Sequence, residues 1–263
     1  AIGNDPTSTM GLHLELNGST AVLENSGNSV QLLTGDSLVL NNHATWKELN
    51  ASMWMNNGNV YAADSSLFQS GNTVLNGTGS YQLDFVTIPS GKSLTHISPQ
   101  VLSVSGDLLI SGSFNHNSNL LELNGSRNQI VTHAANNLSL SGLRIQNTAG
   151  GPADGGYGIT LNTPVNISSQ FDLDDGILVC APAAPVKLAD NVSFSGGSDT
   201  SFVVGTVEKT GNDAFTFPVG ALPDNYRPFS ITAPSSVSSL VKVTYLNSTY
   251  PVLTPVEAPM QSV

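Results

Sequence analysis

The 263-residue sequence predicts an all-β protein. The reading is a right-handed parallel β-solenoid (β-helix) over residues 1–198, followed by an antiparallel β-sandwich-like segment over 199–263. Three observations carry this. Apolar residues alternate with a period of two in short runs, as in Leu12, Leu14 and Leu16, which is the spacing of a strand with one buried face. The runs are separated by Gly, Asn, Asp and Ser, which tolerate positive φ or bond their own backbone. And the sextet LELNGS occurs twice, at Leu14–Ser19 and Leu121–Ser126, 107 positions apart.

The recurrence selects a solenoid from among the all-β folds. A sandwich gives no reason for the same strand-and-turn phrase to return, whereas a stack of coils needs similar side chains at each equivalent position. An offset of 107 residues fits five coils of about 21 residues each. In this register Leu14, Leu16, Leu121 and Leu123 face inward, Glu15 and Glu122 face outward, and Asn-Gly makes the bend. A shorter cousin, LNGT, stands at Leu75–Thr78, and TGD at Thr34 and SGD at Ser105 each close one apolar run and open another. Asn at equivalent turns is expected to stack in hydrogen-bonded ladders. The segment HATWKELNASMWM has Trp46, Leu49 and Met53 at helical spacing, but SMWM-NNG-NVYA reads equally well as a hairpin, so two assignments stand there.

Composition removes several function classes. Only 10% of residues are charged, against about 25% in ordinary domains, and 8 Lys and Arg face 19 Asp and Glu for a net charge of −11. That balance repels a phosphate backbone and anionic lipid, so neither nucleic-acid binding nor membrane insertion is expected. No apolar run approaches the roughly 18 residues of a membrane span. The single cysteine, Cys180, has no partner within the chain and sits in GILVCAPAAP, the setting of a small buried apolar residue. The start at Ala1, without an initiator Met or a signal-like segment, suits a mature exported protein or a portion of a longer chain.

After about Ser198 the pattern changes. Prolines 218, 223, 228, 234 and 251 punctuate longer alternating runs such as Leu240–Tyr245, as in antiparallel strands closing a solenoid's end. The stretch SFSGGSDTSFVVGTVEKTGNDAFTFPVGALPDNYRPFSITAP, Ser193–Pro234, resembles a segment of large secreted and surface-anchored proteins of the Bacteroidota. It does so through Gly196-Gly197-Ser198, Ser201-Phe202-Val203, Gly205, Lys209-Thr210-Gly211, Phe215–Gly220 and Tyr226-Arg227-Pro228. The resemblance implies type IX secretion, a longer parent chain and adhesin-like or structural roles. TYPVLTPVEAPMQSV departs from the C-terminal sorting domain such proteins usually carry, which is read as a fragment, a processed form or a portion of a longer chain.

Few residues suggest chemistry. Asp172 and Asp174 in FDLDDG share one face of a strand and are the candidate metal residues, for Ca²⁺, or the paired carboxylates of a sugar-cleaving β-helix. Such an enzyme would add Arg, Lys or His from neighbouring coils, and Arg144 alone is near in sequence. His13, His43, His96, His116 and His133 show no metal-binding spacing, and GGPADGGYG reads as a loop between coils. Trp46, Trp54 and Tyr61 cluster in a chain with 6% aromatics: exposed they would stack on sugar rings, buried they would cover an early coil. No catalytic residue and no obligatory cofactor is assigned. The expected function is a non-catalytic extracellular or cell-surface structural or adhesion module, meeting other surface proteins, neutral glycans or copies of itself. The competing expectation is a carbohydrate-active enzyme, a polysaccharide lyase or hydrolase, on the same fold.

Overall fold

The structure, a computed structural model, describes residues 12–134 and 137–247. The first eleven residues and the tail from 248, which the sequence reading placed in the solenoid and the sandwich-like segment, lie outside the described residues.

The chain is a parallel β-solenoid of three stacked faces. Face 2 shows the coil count: nine strands, one from each coil, pair in parallel from Val22–Asn25 to Val203–Val204. Face 1 begins with His13–Asn17, Ser37–Asn41, Asn59–Ala62, Ser80–Leu83 and Leu102–Val104. Face 3 begins with Val30–Leu32, Ser52–Asn56, Thr73–Asn76 and Ser93–His96. From the fifth coil on, the corner between faces 3 and 1 is absorbed into long continuous strands, Ser113–Leu123, Leu138–Gln146 and Val165–Asp175. The first half of each extends face 3 and the second half extends face 1. Register shifts at His116/Leu120 and Leu140/Gly142 mark the bend, as bulges do.

The repeated sextet holds one place in this stack. Pairing carries Leu14 to Leu38, Val60, Tyr81, Leu102 and then Leu121, so the two copies sit five coils apart on one row. The inward row beside it runs Leu16, Leu40, Ala62, Leu83, Val104, Leu123, Ile145 and Leu173, all buried. Each full burial of a Leu or Val is worth roughly 1.5–3 kcal/mol, and the stack repeats it coil after coil. The cousin LNGT occupies a different row, because Leu75 lies on face 3 beside Trp54 and His96. TGD and SGD likewise serve different corners, one leading into face 1 at Ser37 and the other into face 2 at Leu108. Similar spelling there reflects the shared demands of tight corners. Gly77 shows how tight they are: at φ 102° its backbone passes so close to the coil below that a Cβ would lie 2.0 Å from the Asn56 carbonyl oxygen.

The open segment at 43–55 is neither helix nor hairpin. Thr45–Glu48 and Ser52–Asn56 are successive strands of one coil on faces 2 and 3, each paired with the coils above and below. Trp46 and Trp54 therefore point into the same interior from two faces, whereas Met53, the third residue of the helical spacing, is exposed.

Parallel pairing continues through Thr206–Thr210 and becomes antiparallel after it. Leu240–Thr244 pairs antiparallel with Thr206–Thr210, and two small antiparallel pairs, Phe215–Phe217 with Phe229–Ile231 and Gly220–Ala221 with Asn225–Tyr226, complete the described end. Phe202, with Phe217 and Val219 of the TFPVG stretch, closes the core here, all three buried. Lys209 is buried beside them, with Nζ donating to Asp213 at 2.7 Å and to the Thr210 carbonyl at 2.8 Å. Among the described residues no helix is long and apolar enough to cross a membrane.

Candidate functional site

The outward row of face 1 unites residues far apart in sequence. Pairing aligns Ser103, Glu122, Arg144, Asp172 and Ser195 on five successive coils. Arg144 lies between three carboxylates: 3.4 Å from Glu122 Oε2, 3.4 Å from Asp172 Oδ2 and 3.3 Å from Asp174 Oδ2. The approach to Asp174 from Nε is charge attraction outside hydrogen-bond geometry. Asp172 is almost wholly buried and also accepts from Ser195 Oγ at 2.7 Å and Gln170 Nε2 at 2.6 Å. Glu122 accepts from Ser103 Oγ at 2.9 Å and Asn124 Nδ2 at 3.2 Å.

The two predicted carboxylates, Asp172 and Asp174, are thus brought to one face, together with Arg144 and with Glu122, which the sequence reading treated only as an outward residue. The cluster is the constellation an enzyme on this fold would need. Its chemistry is that of a tie between coils, because each carboxyl group is held by the guanidinium, and Asp172 and Glu122 also by hydroxyl and amide donors. A Ca²⁺ ion at Asp172 and Asp174 would compete with Arg144 for the same oxygens. Among the described residues no group of three or more His, Cys, Asp or Glu is arranged to hold a metal.

The aromatic candidates separate. Trp46 and Trp54 are fully buried, ring centroids 4.9 Å apart in an edge-on pair, and both indole N–H groups donate to Glu48 Oε1 at 2.8 Å. Glu48 is itself buried, and its Oε2 accepts from Asn25 Nδ2 at 2.9 Å. Rings buried this way cover the early coils and offer no surface to a sugar. Tyr61 alone is exposed, on face 1 between Val39 and Gln82. Cys180 is half-buried against the core, short of the full burial expected, and burial pushes its thiol up to about 12.

His96 and His116 are an unforeseen feature. They face inward on face 3 of adjacent coils, stacked with centroids 5.1 Å apart, and among the described residues none of their four ring nitrogens has a partner in hydrogen-bond geometry, although the Leu120 backbone acts to raise His116. Burial lowers His96 to about 4; burial, and then the neighbouring His96, lower His116 to about 3.

A concavity of about 740 Å³ lies on face 3 between the fifth coil and the antiparallel strand Leu240–Thr244. The bulged bend leaves room there, since Ser141, Ser168 and Ala189 are small. Its outer wall is a register row of polar side chains, Asn166, Lys187 and Glu208, continued toward the fifth coil by Ser139 and Asn115. Asn166 Nδ2 donates to Ser139 Oγ at 3.4 Å and Asn115 Nδ2 to Thr95 Oγ1 at 3.4 Å, so these strand Asn bond hydroxyl groups of the neighbouring coil; they are not the Asn ladder expected at the turns.

Comparison with family models, with curated proteins and with solved structures finds no match to this chain.

Proposed function

We propose that the chain is a non-catalytic module that is exported, stands at the cell surface and serves extension or adhesion there. The observation that carries this is the outward row of face 1, in which the polar groups of successive coils bind one another. Glu122, Arg144, Asp172 and Ser195 lace the sixth to ninth coils together, which suits a stiff rod. A surface made polar by Asn, Ser and Thr, with a net charge of −11, resists nonspecific capture by nucleic acid and anionic lipid. The resemblance of Ser193–Pro234 to segments of Bacteroidota surface proteins supports export by the type IX route, and within this fold those residues close the end of the core. The partners that suit such a surface are glycans and other surface proteins.

The second reading, a polysaccharide lyase or hydrolase, draws on the same row, since three carboxyl groups and an arginine meet on adjacent coils. Against it, none of these four residues lines either of the two best-formed cavities. Incubation with polygalacturonate and alginate, with and without Ca²⁺, separates the two. The module reading expects no sustained release of unsaturated or reducing sugars. Release that Asp174→Asn abolishes would establish the enzyme instead.

A further inference from the structure

The groove on face 3 has a cation with nothing to neutralise it. Lys187 lines the groove and, among the described residues, has no hydrogen-bond or ion-pair partner. The other lysines are all engaged: Lys47 with Glu24, Lys92 with the Leu49 carbonyl, Lys209 with Asp213 and Lys242 with Glu208. Glu208 is the register neighbour of Lys187 on the next coil, but its carboxylate is turned to Lys242 at 2.6 Å. In a chain with 19 acidic residues, an ammonium left open inside a concavity stands ready for an anion from outside.

The rest of the wall narrows the anion's identity. Asn115, Ser139 and Asn166 precede Lys187 on successive coils, so amide and hydroxyl groups repeat about every 4.8 Å along the solenoid axis. Each Asn gives one amide bond to its neighbour and keeps further donor and acceptor capacity. Such a row matches a hydroxyl-rich polymer lying along the axis. Leu240, half-exposed, closes the far end with an apolar surface. Glu208, next to Lys187, opposes a dense polyanion. We infer that the face 3 groove binds an extended polysaccharide carrying isolated carboxylates, with Lys187 meeting a carboxylate and the Asn-Ser row meeting hydroxyls. This rests on the adhesive reading and deepens it: neutral sugar contacts along the wall are joined by one charged contact.

The test is calorimetric titration of the chain with hyaluronan oligosaccharides, which carry a carboxylate on every second sugar, beside neutral dextran oligosaccharides and poly-glutamate. Lys187→Gln is the informative variant, since among the described residues Lys187 makes no hydrogen bond or ion pair for the fold to lose. Lys47→Gln, on face 2 and paired with Glu24, is the charge-matched control. The inference expects hyaluronan to bind at least tenfold more tightly than dextran or poly-glutamate, with about tenfold weaker binding in Lys187→Gln and no change in Lys47→Gln. Equal binding by Lys187→Gln and the parent would remove the groove assignment and leave adhesion standing. No hyaluronan binding at millimolar concentration would overturn the inference, and poly-glutamate binding as tightly would make the groove a site for acidic peptide. Release of sugars during the titration would instead remove the adhesive reading itself.

Discussion

Two buried polar groups stand in neighbouring parts of one core and are handled in opposite ways. Glu48, in the second coil, meets three donors, from Trp46, Trp54 and Asn25. His96 and His116, in the fourth and fifth, meet none in hydrogen-bond geometry among the described residues and lean on each other, with Tyr81 edge-on to His96 and Phe114 tilted against His116. The contrast follows from what each group can tolerate. A carboxyl group buried without donors is too costly for a folded chain, so the early coils are built around it. A neutral imidazole is large and partly apolar, and it fills the stack as an aromatic ring at the smaller cost of unsatisfied ring nitrogens. The first site is a specific polar lock; the second is a core position that works only while the rings are uncharged.

Breaking the lock should have the larger effect. Glu48→Leu orphans two indole N–H groups and leaves the Asn25 amide only its bond to the Asn28 carbonyl, and the expected loss is about 3–5 kcal/mol in denaturant unfolding, as when one partner of a buried polar set is removed. Glu48→Gln, which keeps the acceptor for the two indoles, should lose about 1–2 kcal/mol. A Glu48→Leu protein as stable as its parent would mean the three donors find other partners.

The histidine pair sharpens the contrast through pH. Both rings titrate lower in the fold than in the unfolded chain, where a histidine titrates near 6.5. The unfolded state therefore takes up protons first as the pH falls. The stability contributed by the neutral pair is complete above about pH 6.5 and declines below it, by up to about 1.4 kcal/mol per pH unit for each histidine, until pH approaches about 4 for His96 and about 3 for His116. Denaturation midpoints measured from pH 7 to pH 4.5 should fall steeply for the parent and less so for His96→Leu/His116→Leu. At pH 7 the double variant should match or slightly exceed the parent. Equal slopes would show that the rings reach water.

The sequence carried the coil repeat because the core demands it: LELNGS returned where Leu had to face inward and Glu outward. It could not show the Arg144 cluster. From Leu121 the register neighbours step to Leu143, Phe171 and Phe194, so coil length varies from 22 to 28 residues and counting alone aligns nothing. Nor could period-two alternation reveal Glu48, which sits where an inward apolar residue would sit, two positions after Trp46. LNGT misled for a related reason, since every tight corner asks for Asn and Gly whichever face it joins. The lone Lys187 needed the partners of every other lysine to be known first.

The central claim is the in-register stack, and distance measurement tests it most directly. With Cys180→Ala to remove the native thiol, spin labels introduced at pairs among Glu15, Gln82, Glu122 and Ser195 all lie on one outward row. Coils about 4.8 Å apart place Glu15–Glu122 and Gln82–Ser195, each five coils apart, at the same backbone separation of about 24 Å, and Glu15–Ser195, eight coils apart, at about 38 Å. Pulsed electron–electron resonance should return two matching distances and one longer by about three coils. Unequal five-coil distances, or an eight-coil distance no longer than these, would contradict the solenoid register on which the account rests.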